Sequence, residues 1–344
     1  MGELLTSYST GAYLERTAMN VWQQLNHDTV LKTVEETLGR KISNLLLPRN
    51  SYINRVYELE EHDSRERLII KFYRPNRWTK EQILEEHLFL QELAAQEIPV
   101  IPPLSIRNQT LFPLSISPSL HPPISFALFP KKSGRALDEF NKESWEEVGR
   151  LLARIHMIGQ SHTQSTRITW QPSIATRHHL ETLFKTDYLL PDFEQTFKQA
   201  AETFITKADS KFDAQKFILL HGDCHKGNLI HRPNEGIYIV DFDDIAFGLP
   251  IQDLWLLLPD MPDKCEKEVE WLLKGYETFR KFDHASLELA PILRGMRIIH
   301  YVSWLAVQSQ DPDFKKHFPL AGDRKYWNEI TKEIQQINEQ IFNC

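Results

Sequence analysis

No stretch of five like charges interrupts these 344 residues, whose formal charge is −7. A nucleic-acid binder normally carries a basic face, so this balance argues against a nucleic-acid partner. Cysteine is scarce: Cys224, Cys265 and Cys344 make an odd number with no CxxC pair. That excludes a disulfide framework and a thiolate zinc site. No window approaches 18 uninterrupted apolar residues, and the N-terminus has no apolar signal-like core. The expectation is a cytoplasmic, monomeric protein with no membrane partner. Met1 to Thr6 fits the loose myristoylation pattern, but no polybasic patch accompanies it, so a chance match is the better reading. Also missing are G-x-G-x-x-G and G-x-x-x-x-G-K-[ST], so any phosphate must be covered by another turn.

What is present is an ordinary globular balance, 41% hydrophobic and 25% charged, on a chain long enough for one large or two modest domains. Residues from about 26 to 47 have helical texture that ends near Gly39, with a short link at Leu45 to Pro48. Alternation over Tyr52–Glu60 and again over Arg67–Tyr73, around the turn His62-Asp63-Ser64, predicts an antiparallel hairpin. Thr79 is placed to cap a helix running to about Gln96. Seven prolines between Pro99 and Pro123 break the chain into loops, and Ile124–Phe129 reads as a buried strand. Beyond Pro130 the texture turns helical, with Trp145, Val148, Leu152 and Ile155 on one face. A long polar and aromatic stretch then runs to about Lys216. Two short strands, Phe217–Leu220 and Ile237–Val240, each deliver an acidic cluster. The pattern predicts an α+β, bilobal protein-kinase-like fold: a sheet-plus-helix lobe over 1–130 and a mostly helical lobe over 131–344.

The sharpest chemical signal is His221-Gly222-Asp223-Cys224-His225-Lys226-Gly227-Asn228, with the spacing H-x-D-x4-N of a kinase catalytic loop. An acceptor hydroxyl needs a carboxylate to orient it and take its proton, the role expected of Asp223. Asn228 offers a neutral oxygen to a metal, and His221 is expected to brace the loop. Asp241, at the end of the second short strand, fits a Mg2+ ligand beside substrate phosphates. Asp243 stands where the kinase D-F-G motif has glycine. Lys71 closes an apolar strand, Leu68-Ile69-Ile70-Lys71, and is expected to pair with the phosphates of ATP. Its partner is Glu85 or Glu86; Glu86 shares the inward face with Phe89, Leu90 and Leu93 and is preferred. Ser51, in the turn before the first hairpin strand, can reach phosphate through its hydroxyl and N–H. ATP is expected near Phe129.

These motifs resemble the aminoglycoside phosphotransferase and choline kinase branch of the kinase-like fold. The matching stretches are Asn50-Ser51-Tyr52, Asn54-Arg55-Val56-Tyr57, Lys71-Phe72-Tyr73-Arg74-Pro75, Gln82 to His87, His221 to His225, Asp241 to Asp244 and Gln252-Asp253-Leu254-Trp255. The likeness spans nearly the whole chain and extends to bacterial Ser/Thr protein kinases of this branch. It implies Asp223 as proton acceptor, Asn228 and Asp241 as Mg2+ ligands, Ser51 on ATP, and Asp253 as support for the catalytic loop. It implies a protein Ser/Thr acceptor, with an aminoglycoside, choline or homoserine-like acceptor as the alternative.

Blander readings compete at each position. His221 and His225 are four apart, but glycines disfavour a helix there and no H-E-x-x-H is present. Asp241, Asp243 and Asp244 alone would be a solvated turn, Lys71 a snorkelling surface lysine, and Ser51 an ordinary turn serine. His156, Tyr301 and Trp304 read as core. A catalytically silent scaffold would need a broken set, whereas Lys71, Asp223, Asn228 and Asp241 are all in place.

Overall fold

The computed structural model describes Trp22 and residues 25–49, 51–114, 123–137, 139–311 and 314–342. The Met1–Thr6 pattern, Asn50, Cys344 and part of the proline-rich stretch lie outside them. Two compact units partition the chain. Unit 1 holds the described residues through Arg135 together with His231–Asp243, and unit 2 holds Ala136–Ile230 and the residues from Asp244 onward.

Unit 1 is built on a five-stranded antiparallel sheet. Helix α1 (His27–Leu38) is capped by the Asn26 side chain, and Gly39 ends it with φ 69° and an N–H bonded to Glu35 O. The chain then enters strand β1 (Ile42–Arg49). Leu45 to Pro48 is therefore strand rather than link, because pairing with β2 (Arg55–Glu61) decides its conformation and local texture does not. Strands β2 and β3 (Arg67–Phe72) form the expected hairpin, with Val56 opposite Lys71. Helix α2 (Lys80–Ala95) starts with a complete capping box between Thr79 and Gln82. Strands β4 (Phe112–Leu114) and β5 (Ile124–Pro130) complete the order β1-β2-β3-β5-β4. Leu59, Ile70, Phe72, Ile124, Phe126 and Leu128 fill the core between this sheet and α1.

Unit 2 is mostly helical. Helix α3 (Lys142–Gly159) is followed by α4 (Arg177–Phe184) and α5 (Pro191–Asp209), both inside the long polar and aromatic stretch of the sequence. In α5 the signal was available: Pro191 opens the first turn, Asp192 and Glu194 follow, and Phe197, Ala201, Phe204, Ile205 and Ala208 form a buried stripe. Strand β6 (Ile218–Leu220) pairs antiparallel with β7 (Ala246–Gly248). Helices α6 (Ile251–Trp255), α7 (Glu266–Tyr276), α8 (Ala290–Gln308), α9 (Phe314–His317) and α10 (Arg324–Phe342) follow. Helices α3 and α7 meet at their glycines. A Cβ on Gly149 would sit 2.0 Å from Leu272 O, and one on Gly275 would sit 2.0 Å from Glu146 O. No helix among the described residues is long and apolar enough to cross a membrane.

Candidate active site

In unit 1, strand β3 delivers Lys71 to a buried cluster of four charges. The Lys71 ammonium donates to Asp243 and lies 3.5 Å from Glu86 Oε1, while Arg77 Nη1 lies 3.5 Å from the other Asp243 oxygen. Asn54 Nδ2 donates to Asp243 Oδ2, and Asn54 Oδ1 accepts from the Arg74 N–H at 3.1 Å. Two cations thus face two carboxylates. Glu86, on the inward face of α2, is 1% exposed, whereas Glu85 is only half-buried. A buried carboxylate survives only when charges and donors replace its water, which Lys71, Arg77 and Asn54 do for Asp243. Phe242 anchors the same segment by an edge contact with Phe89 of α2.

Asp241 precedes this anchor at the end of the short strand Gly236–Ile239, where it is exposed and has φ 65°. The left-handed region costs a non-glycine residue about 1 kcal/mol or more, and such strain concentrates at functional positions. Ser51 lies half-buried between β1 and β2.

In unit 2 the loop after β6 is held from below. Asp253 of α6 is fully buried and accepts the backbone N–H groups of His221 and Gly222, each at 2.8 Å. Its third donor is His156 Nε2 at 3.1 Å. The Nδ1 of His156 accepts from Tyr276 OH at 2.8 Å, and that hydroxyl accepts from Arg280 Nη1 at 2.9 Å. Burial depresses the His156 pKa, so the ring is neutral and carries its proton on Nε2. Burial acts to raise the Asp253 pKa, but the donors from His156 and Gly222 outweigh it and hold the carboxylate low. His156 is thus a core histidine, as expected, and also part of the loop's support.

Above this base the loop turns sharply. Gly222 has φ 84°, and a Cβ there would fall 1.9 Å from Asp244 O, so only glycine fits. The buried His221 ring braces the turn, accepting from the Asp223 N–H at 3.3 Å. Asn228 Nδ2 donates to Asp223 O at 3.0 Å, which leaves the amide oxygen as the acceptor end of that side chain. The Asp223 carboxylate stays partly exposed. Arg297 Nη1 of α8 donates to its Oδ1 at 2.8 Å, and His225 Nε2 lies 3.6 Å from Oδ2. Cys224 is buried, and burial pushes its thiol pKa well up, so it is no nucleophile. Among the described residues there is no group of three or more His, Cys, Asp or Glu that could hold a metal.

The structure therefore groups Lys71 with Glu86, and Asp223 with Asn228. Sequence reasoning missed Asn54, Arg77 and Arg297, and it noted Asp243 only as a departure from D-F-G. Asn54 and Asp243 lay in stretches already singled out, but Arg297 had no local signal. The aromatic pair taken for core is partly open: Tyr301 is 47% exposed and stacks on Trp304.

The profile of the phosphotransferase enzyme family matches residues 45–289. Stress response kinase A of Escherichia coli (strain K12) is 37% identical over 313 residues, which cover 89% of this chain and 90% of the relative. A Salmonella typhimurium protein named serine/threonine protein kinase RdoA is 36% identical over 317 residues, covering 90% of this chain and 92% of its own. Among solved structures, an amicoumacin kinase in complex with AMP-PNP, Ca2+ and Ami superposes with a TM-score of 0.75. That likeness covers 94% of this chain and 96% of the kinase at 18% identity, and it establishes the kinase-like fold. The chain belongs to the phosphotransferase enzyme family, alongside the stress response kinases A.

Proposed function

We propose that this protein is an ATP- and Mg2+-dependent serine/threonine protein kinase of the stress response kinase A type, acting as a cytoplasmic monomer. The observation that carries the chemistry is the loop His221–Asn228, whose base carboxylate Asp223 is set by a buried network and faces outward. The protein acceptor is supported by the names of relatives that align over about nine-tenths of this chain.

In this reading Asp223 accepts the proton of a Ser or Thr hydroxyl. A new O–P bond forms to the γ-phosphorus as the bond to the bridging oxygen breaks, leaving ADP. Lys71, held by Glu86 and Asp243, pairs with the nucleotide phosphates. Ser51 covers them from the turn after β1, and ATP lies near Phe129. Asn228 and Asp241 would each offer an oxygen donor to Mg2+, an ion that usually keeps waters and substrate phosphates as its other ligands. Bound Mg2+ would neutralise charge on the β- and γ-phosphates.

A second reading, a kinase for a cationic small molecule, draws on a groove of about 980 Å³ in unit 2. Asp263, Glu266, Glu270, Glu277 and Glu288 give it an acidic lining, but no residue of the loop His221–Asn228 contributes. Incubation with γ-labelled ATP and Mg2+, with and without a generic Ser/Thr protein substrate, separates the two readings. Label on protein that is lost in Asp223→Ala supports the protein kinase. Label confined to an added amino alcohol or aminoglycoside supports the other.

A further inference from the structure

We propose that the face of α8 bearing Arg297, Tyr301 and Trp304 binds the acceptor, and that Arg297 selects a peptide with an acidic side chain next to its Ser or Thr. The proposal rests on Asp223 being the proton acceptor and names the substrate class of that same site. The three residues stand at i, i+4 and i+7 and so share one side of the helix. At one end of this face Arg297 Nη1 donates to Asp223 Oδ1 at 2.8 Å. A guanidinium has five N–H donors in a planar fork, and the Arg297 side chain remains 37% exposed. His225 approaches the other carboxylate oxygen, with Nε2 3.6 Å from Oδ2.

A cation therefore sits beside the carboxylate that must receive the hydroxyl. An acceptor carrying an ammonium next to that hydroxyl would be pushed against the guanidinium. An acceptor carrying a carboxylate there would gain a charge-assisted contact. At the other end of the face, Tyr301 stacks on Trp304 with ring centroids 5.9 Å apart and planes 14° from parallel. Tyr301 is 47% exposed and Trp304 is partly buried against Phe318, so the open apolar surface at this end is chiefly the Tyr301 ring. Seven residues of helix span about 10 Å. That is the reach of roughly three extended residues, more than a small alcohol covers.

The test uses the full chain with Mg2+ and ATP on three peptides, whose single Ser is flanked by Glu, Ala or Lys. A hydroxy acid and an amino alcohol serve as small acceptors. The wild type should favour the Glu-flanked peptide in KM by about tenfold or more. Arg297→Lys should retain the order and Arg297→Glu should reverse it. An order left unchanged in Arg297→Glu, or a wild type that favours the Lys-flanked peptide, overturns the proposal. If peptides stay unlabelled while the hydroxy acid outcompetes the amino alcohol, and Arg297→Glu reverses that order, the protein-kinase reading and the peptide occupant fail together; selection by Arg297 remains. Preference for the amino alcohol overturns the selection as well.

Discussion

Asp243 occupies the position where a protein kinase has the glycine of D-F-G, and in this chain it is a buried anion. Its carboxylate is surrounded by Lys71, Arg77 and Asn54, so removing it takes the nearer anion from Lys71 and a partner from both Arg77 and Asn54 in a largely buried cluster. Breaking one side of a buried ion pair costs about 3–5 kcal/mol. Asp243→Ala should therefore unfold at markedly lower denaturant, and a loss under about 1 kcal/mol in chemical denaturation would contradict this assignment. Lys71 and Glu86 were legible in sequence, because a strand end and a helix face each aim a side chain by periodicity. The bond from Lys71 to Asp243 was not, since it joins positions 172 apart and no local period encodes such a pairing. Arg297 escaped for the same reason, lying 74 positions from Asp223.

Neighbouring elements hold the loop His221–Asn228. Gly222 exists for the turn above it, and Gly222→Ala combines an unfavourable φ with a clash against Asp244 O. Strain of that kind costs on the order of 1–3 kcal/mol, so the variant should lose both thermal stability and turnover. Wild-type activity in Gly222→Ala would refute the rigid-loop account. Beneath the loop, α3, α6 and α7 contribute His156, Asp253 and Tyr276 to one buried chain, with Arg280 and His221 as further neighbours.

Because burial lowers the His156 pKa in the folded protein, the unfolded chain takes up this proton first as pH falls below about 6.5. Stability from the neutral ring is thus complete above that value and drains away as pH falls toward the folded pKa. Asp253, also held low, adds a loss only below about 3.9. His156→Gln should lower the thermal midpoint at pH 7.5 yet lose less than wild type on going to pH 5.5. Parallel pH profiles for the two proteins would exclude His156 as the titrating group. The hairpin, α2 and β5 could be read from alternation and caps. Helix α4 buries only Leu180 and Leu183, too few for a stripe to stand out from loop, whereas α5 carried its own start signal and stripe, and β7 is too short for any period to mark.

At the scale of the whole molecule, sequence texture conveyed an α+β chain with a sheet-rich first part and a helical second part. It could not convey that His231–Asp243 packs within unit 1, since contacts made far along the chain decide that membership. The residues given roles in the proposed function are likewise far apart along the chain: Lys71, Glu86 and Asp241 belong to unit 1, and Asp223 and Asn228 to unit 2. The direct test of the account is the single-turnover rate of phosphoryl transfer in Asp223→Asn at saturating ATP and Mg2+, with ATP affinity measured in parallel by calorimetry. A general base contributes roughly 10²–10⁴ in rate, so the account predicts a fall of that size with ATP affinity unchanged. A rate near wild type would contradict Asp223 as the proton acceptor, and an equal loss of ATP affinity would make it a nucleotide-binding residue instead.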